Sequence, residues 1–295
     1  MRGTPVGEAA GVAPALWLVD KPAGPTSHDV VAAARRRLPR RTKVGHCGTL
    51  DPFATGLLVL AVGRATRLVP YLTALDKTYL ATLRTGFTSE TGDPEGPVEP
   101  AGAPASAGDL SALLPTFLGR TRQRVPAYSA VKVDGERLYR RARRGEAVEA
   151  PEREIEIHEI ALAEDRGDGV FAVAVRCGKG TYIRQLAADI GEALGCGAYL
   201  TELRRTAVGA MSVEDAVAPD EVAAEGGLDP LSGLGHLARR ELTEAEARDV
   251  AHGRPVPGGG GGGDPVALVR DGRLVAVARP SCGALRPAVV LGDAR

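Results

Sequence analysis

Apolar positions along this chain fall into short blocks whose period changes from block to block. Leu16, Trp17, Leu18 and Val19 form a strand-length block that ends in a Pro/Gly turn. "TSHDVVAAARRRL" follows, with Thr26 or Ser27 as N-cap, Asp29 in the first turn and arginines at the far end. Those charges match a helix dipole, so a helix is predicted. Gly56 introduces "LLVLAVG", a continuous apolar run that fits a strand buried on both faces. "RATRLVPYL" predicts a short helix, and the alternating, β-rich "KTYLATLRTG" a strand. "TGDPEGPVEPAGAPASAG" is turn and loop, and "DLSALLPTFLG" a helix. "EIEIHEIALAED" and "GVFAVAVRCG" are strand candidates. "TYIRQLAADIGEALGCG" is the clearest helix: Ile183, Leu186, Ala187, Ile190 and Leu194 make one stripe, and Gly195 or Gly197 stops it.

The pattern changes near residue 235. "LTEAEARDVAHG" predicts a short helix, the run Gly258 to Gly263 a flexible loop, and "PVALVRDGRLVAVARP" a hairpin with "DG" at its tip, before "LRPAVVL". Strands and helices mix without regular βα alternation, so the fold class is α+β. The expected organisation is a flexible N-terminus over 1–14, a main domain over 15–235 and a small, mostly β domain over 236–295. Residues 121–150, strongly basic and with little core pattern, read as an insertion in the main domain.

Composition narrows the picture only slightly. The chain has 295 residues and zero formal net charge, so any polyanionic partner must be argued from local charge. Cys47, Cys177, Cys196 and Cys282 form no C-x-x-C pair, and read as free thiols in a reducing compartment. No signal-peptide pattern opens the chain, and "LLVLAV" is too short to span a bilayer. A soluble, cytoplasmic protein is expected.

Candidate chemistry centres on "GHCGTLDPFATGLL". Pro52 holds Asp51 extended, while Gly45, Gly48 and Gly56 permit sharp bends and close approach of a ligand. On spacing alone, a loop aspartate that caps backbone amides is the commoner outcome. No G-x-G-x-x-G, P-loop or metal cluster is present, so no cofactor and no metal are expected.

The wider pattern is more specific. "GHCGTLDPFATGLL" resembles the catalytic motif of the bacterial tRNA pseudouridine-55 synthases, the TruB family. "LVDKPAGPTSHDVV", "DKTYLATLRTGFTSETGD", "RVPAYSAVKVDGERLYRRARRGE" and "CGKGTYIRQLAADIGEALGCGAYLTELRRTAVG" are similar to further family motifs, in the family's order, from about residue 16 to 215. The resemblance implies a catalytic domain with a mixed, mainly antiparallel sheet and a PUA-like C-terminal domain. It implies isomerisation of a uridine in the tRNA T-arm, without cofactor, by a monomer that also assists tRNA folding. It makes Asp51 the nucleophile, Arg184 its partner and Tyr79 an active-site aromatic that stacks on the base and handles protons. A carboxylate suits covalent catalysis because it can attack, hold an intermediate and leave. Tyr182 and Leu203 become pocket walls, Asp93 a contact to the flipped base, His46 a prop for the opened RNA loop and Lys21 a support for the site loop.

Two basic runs offer contacts to an RNA backbone. Arg40, Arg41 and Lys43 close the first, which begins at Arg35. Arg140, Arg141, Arg143 and Arg144 form the second. Three rivals stand beside this reading. One is a non-catalytic RNA-binding or tRNA-folding module. Another is a glycoside hydrolase using Asp51, which needs a second carboxylate of comparable sharpness. The third is a guide-RNA-dependent relative, which the basic insertion disfavours.

Overall fold

The computed structural model describes residues 12–291, apart from 127, 130, 134, 139, 140, 142, 143, 145, 147–149 and 259–262. A nine-stranded sheet organises the larger part. Its strands run in the order Ala15–Lys21, Thr55–Val62, Ala198–Val208, Lys77–Thr85, Val170–Cys177, Glu152–Asp165, Gly119–Arg124. Val44–His46 joins Thr55–Val62, and Met211–Ser212 joins Ala198–Val208. Thr55–Val62 and Ala198–Val208 pair in parallel, and the other ladders are antiparallel. The fold is α+β with a mixed, mainly antiparallel sheet, as the resemblance implied.

The strand Thr55–Val62 is buried on both faces, as its unbroken apolar run requires. Leu58, Leu60 and Val62 enter one core, with Val30, Val31, Leu83 and Ile190. Leu57, Val59 and Ala61 enter another, with Leu16, Leu72, Val269 and Val277. The second core joins the back of the large sheet to a five-stranded sheet in the order Ala238–Glu241, Val266–Arg270, Arg273–Ser281, Ala284–Val290, Val256–Pro257. The hairpin turn falls on Asp271 and Gly272, both at positive φ (49° and 73°), the conformation that "DG" favours.

Helix boundaries follow the capping chemistry. Thr26, not Ser27, caps the helix Ser27–Arg37: its hydroxyl accepts from Asp29 N, and Asp29 Oδ2 accepts from Thr26 N. The helix Ile183–Ala193 buries Ile183, Leu186, Ala187 and Ile190, as its stripe predicts. "DLSALLPTFLG" is a helix only over Ala107–Leu113; Pro115 sits at the start of a 3₁₀ turn over Leu114–Phe117.

The start of the basic stretch lies in the sheet. Gly119–Arg124 is the edge strand of the large sheet, so 121–124 belong to the scaffold. Arg120 and Arg122 face Glu156 and Glu152 across the ladder. The central strand Ala198–Val208 also escapes prediction, because an inward-facing arginine interrupts its apolar alternation.

Close packing of the best helix on this central strand depends on Gly191. A Cβ there would lie 2.0 Å from Ala198 N and 2.4 Å from Gly197 C. Gly191→Ala is expected to destabilise the chain by about 1–3 kcal/mol, the ordinary cost of overpacking, seen as a lower thermal midpoint by calorimetry.

Candidate functional site

Asp51 stands in the connection between Val44–His46 and Thr55–Val62, and the residues on either side of it are tied down. Ser27 Oγ donates to Leu50 O at 3.0 Å and accepts from Leu50 N at 2.9 Å. Lys21 Nζ donates to Pro52 O at 3.0 Å and to Pro22 O at 2.8 Å, and Gly24 N donates to Pro52 O. The segment around Lys21 and Ser27 therefore grips the loop on both sides of Asp51. Lys21 is fully buried. Burial lowers its pKa, while Asp51 opposes that shift.

Helix Ile183–Ala193 presents Arg184 to this loop from its first turn. Arg184 Nε donates to Asp51 Oδ2 at 2.9 Å, and Nη2 to Asp51 Oδ1 at 3.4 Å. The remaining donors reach Thr91 O at 2.7 Å and Tyr128 O at 2.9 Å, with Asp93 Oδ2 3.5 Å from Nη1. The Arg184 side chain is 6% exposed and that of Asp51 35% exposed. A buried cation therefore holds a carboxylate that still reaches solvent.

Tyr79 is buried on the strand Lys77–Thr85, opposite Arg205 in register. Burial pushes its hydroxyl pKa up, and Arg205 opposes that rise. Leu203 packs in the same core as Tyr79 and Leu50. Tyr182 caps the helix carrying Arg184, and Gln123 grips its backbone through Tyr182 N (2.8 Å) and Tyr182 O (3.0 Å). Arg153 lies over the Tyr182 ring, 5.1 Å from its centroid. Asp93 is buried; its Oδ1 accepts from Thr91 Oγ1 and Glu95 N while Oδ2 faces Arg184. In this structure Asp93 braces the arginine. His46 is half-buried, edge-on to His28 at 5.4 Å, and its Nδ1 is buried without a hydrogen-bond partner among the described residues. Burial lowers its pKa, helped by His28 and Arg205.

The structure thus brings together Asp51, Arg184, Tyr79, Leu203, Lys21 and Asp93. Ser27, Gln123 and Arg205 belong to the same assembly, and the sequence does not single them out. Ser27 reads there only as a cap. Gln123 and Arg205 lie in polar stretches whose facing toward the core becomes visible only once the strands are paired.

Arg40, Arg41 and Lys43 are exposed, and they line a cleft of about 1660 Å³ with Arg64, Arg67 and Arg273. Arg141 and Arg144 are engaged by acids: Arg141 Nε meets Glu146 at 3.1 Å, and Arg144 forks onto Glu136 at 2.7 and 2.9 Å. Arg140 and Arg143 lie outside the described residues. Among the described residues, no cluster of His, Cys, Asp and Glu has the arrangement of a metal site, and no helix is long and apolar enough to cross a membrane.

Comparison with known proteins finds matches along nearly the whole chain. Residues 35–183 match the model of the TruB family pseudouridylate synthase N-terminal domain. Residues 184–227 match the tRNA pseudouridylate synthase B C-terminal domain, and 237–292 the C-terminal domain of tRNA pseudouridine synthase II. The chain is 45% identical over 291 residues to tRNA pseudouridine synthase B of Thermobifida fusca, covering 95% of this chain and 99% of that protein. It is 42% identical over 290 residues to the protein of the same name from Mycobacterium tuberculosis, covering 95% and 97%. Among solved structures, a Cbf5–Nop10–Gar1 complex contains a chain that superposes with a TM-score of 0.72 at 26% identity, over 95% of this chain and 85% of that one.

Lys77 lies beside Gly48 of the Asp51 loop, with Nζ donating to Thr73 O at 2.6 Å and Leu75 O at 2.5 Å. Burial, reinforced by Arg205, pushes its pKa down to about 8. Between about pH 8 and 10.5 the unfolded chain binds a proton at this residue that the native chain has released, so this contribution to stability rises with pH. Chemical denaturation at pH 7 and pH 9.5 is expected to show a larger gain for the wild type than for Lys77→Met.

Proposed function

We propose that this chain, which belongs to the TruB family of pseudouridylate synthases, converts uridine 55 in the T-arm of tRNA to pseudouridine by covalent catalysis from Asp51. The chain is an isomerase that makes pseudouridine in tRNA. In that reaction the N1–C1′ bond breaks, the uracil turns, and a C5–C1′ bond forms. One proton leaves C5 and one ends on N1, so no atoms or electrons are gained and no cofactor or metal is needed.

The observation that carries the reading is the asymmetric Asp51–Arg184 pair. Oδ2 is held at 2.9 Å by Nε, whereas Oδ1 has only a 3.4 Å contact. Oδ1 is the oxygen less committed to the guanidinium and the better placed to attack. Carbonyl and carboxylate partners on the rest of Arg184 stop the guanidinium from following the nucleophile. Tyr79 supplies an aromatic face for the displaced base, and its hydroxyl is the group for moving the C5 proton. Leu203 and Tyr182 wall the pocket, Asp93 fixes Arg184, and Lys21 fixes the backbone at Pro52. His46 props the T-loop after the base has left. The covalent bond from Asp51 is transient: it is broken again, freeing the carboxylate, by the time the C5–C1′ nucleoside is released.

The target uridine must leave its stack, at a cost of about a few kcal/mol. Contacts along Arg40, Arg41 and Lys43, and through the insertion bearing Arg140, Arg141, Arg143 and Arg144, offset this cost. Residues 236–295 form a PUA-like domain that widens the footprint, and the enzyme works as a cytoplasmic monomer that also assists tRNA folding.

Unmodified tRNA incubated with the purified protein is expected to acquire pseudouridine at the T-loop site, mapped by base-resolved sequencing. Asp51→Asn is expected to form none above background while its tRNA affinity stays within about threefold, because covalent chemistry is lost and the footprint is not. A normal rate in Asp51→Asn would overturn the mechanism. Affinity is also expected to fall steeply with salt. Replacing Arg40, Arg41 and Lys43 together by Gln is expected to flatten the log–log slope by about 3, roughly one for each phosphate that is no longer neutralised.

A further inference from the structure

We infer that Arg205 is a positioning residue that fixes the Asp51 loop and Tyr79 relative to each other, an inference that rests on the catalytic reading of Asp51. Arg205 is 1% exposed. No carboxylate lies within ion-pair distance of it among the described residues, so its charge is met by dipoles alone. Burying a guanidinium this way is expensive unless its N–H groups are satisfied.

The acceptors it uses are informative. Nε donates to Leu57 O at 2.7 Å, Nη2 to Gly48 O at 3.1 Å and Nη1 to Thr49 O at 3.3 Å. Gly48 and Thr49 lead into Asp51, and Leu57 lies on the strand that leaves it. One planar fork therefore spans the entry and the exit of the nucleophile loop. The two backbones also touch: a Cβ on Gly56 would lie 2.3 Å from Arg205 O. The strand Ala198–Val208 thus forms the floor beneath the loop.

The same residue faces the second reacting group. Arg205 is the register partner of Tyr79 across the adjoining ladder, and its charge opposes the rise that burial imposes on the Tyr79 hydroxyl pKa. Asp51 and Tyr79 sit on different segments, and Arg205 bonds to the loop of one and stands directly across the ladder from the other. Arg184 holds the carboxylate itself, whereas Arg205 holds the frame in which that carboxylate and the tyrosine keep their separation. Displacement of a reacting group by about 1 Å costs on the order of 10²-fold in rate. A lysine cannot substitute, because a compact ammonium lacks the rigid fork that reaches diverging acceptors.

The test separates chemistry from binding and from folding in the full-length protein. Arg205→Lys is expected to melt cooperatively and to bind unmodified tRNA with a Kd within about threefold of wild type, while its single-turnover rate falls on the order of 10²-fold. A rate within about threefold of wild type overturns the inference, as does a fall in rate matched by an equal fall in affinity. If Arg205→Lys does not melt cooperatively, Arg205→Gln, which removes the buried charge, is read by the same criteria. If neither variant folds, Arg205 is a folding residue and the positional assignment is overturned. Asp51→Asn measured alongside keeps the two readings apart. Residual turnover there defeats the nucleophile, whereas a silent Arg205→Lys beside a dead Asp51→Asn defeats only the role of Arg205.

Discussion

A guanidinium can be buried only where the surrounding backbone offers acceptors in the plane of its fork. Arg184 meets this condition by drawing three separate segments together. The loop before the strand Thr55–Val62 provides Asp51, the loop after the strand Lys77–Thr85 provides Thr91 and Asp93, and the segment after the strand Gly119–Arg124 provides the carbonyl of Tyr128. Withdrawing any one of these leaves a desolvated charge short of a partner, which costs far more than the hydrogen bond itself contributes. The local shape of the site is therefore enforced by the cost of leaving this cation unsatisfied. Of the two carboxylates in the set, Asp93 is buried while Asp51 keeps a solvent-facing edge.

The large sheet explains why such a polar assembly is tolerated. Its two faces are covered by separate apolar cores, one under the helices Ser27–Arg37 and Ile183–Ala193 and one against the second sheet. The polar groups collect where the parallel pairing of Thr55–Val62 with Ala198–Val208 begins, at Thr55 and Gly56 opposite Arg204 and Arg205. Strand ends expose carbonyls that no ladder partner takes, and Arg205 takes one on Leu57. Lys21 and Ser27 do the same for the turn from the far side. The Asp51 loop has little regular hydrogen bonding of its own, and side chains from distant parts of the sequence replace it.

This division also decides what can be read from the sequence. Asp51, Tyr79 and Arg184 sit in short motifs with local signals: Pro52 after the aspartate, alternation around the tyrosine, and a clear amphipathic helix after the arginine. The strand Thr55–Val62 and the hairpin at Asp271 are legible for the same reason, because their determinants are neighbours in the chain. Arg205 is not. In "TELRRTAV" two arginines stand side by side, one paired with Asp20 (3.1 and 2.7 Å) and one turned inward to the loop. Hydrophobic periodicity reads both as breaks in a strand, because the acceptors that make the inward one tolerable lie about 150 residues earlier in the chain. Gln123 is hidden likewise, and with it the edge strand that an arginine-rich stretch conceals.

The charge pattern of the interior bears on how a polyanion approaches a carboxylate. Among the described residues the buried cations are Lys21, Lys77, Arg184 and Arg205, while Asp93 is the buried anion and Asp51 is only partly covered. Much of the cationic side is compensated by neutral carbonyls, so a positive surplus remains beneath the loop. Water screens buried charge poorly, and a low-dielectric wall focuses its field into the opening. A polyanion that reaches this mouth meets that surplus as well as the negative charge of Asp51. At the surface the balance is different: Arg141 and Arg144 are occupied by Glu136 and Glu146. A further anion there must therefore displace a carboxylate before it gains a partner, whereas the buried cations beneath the Asp51 loop are met mostly by carbonyls.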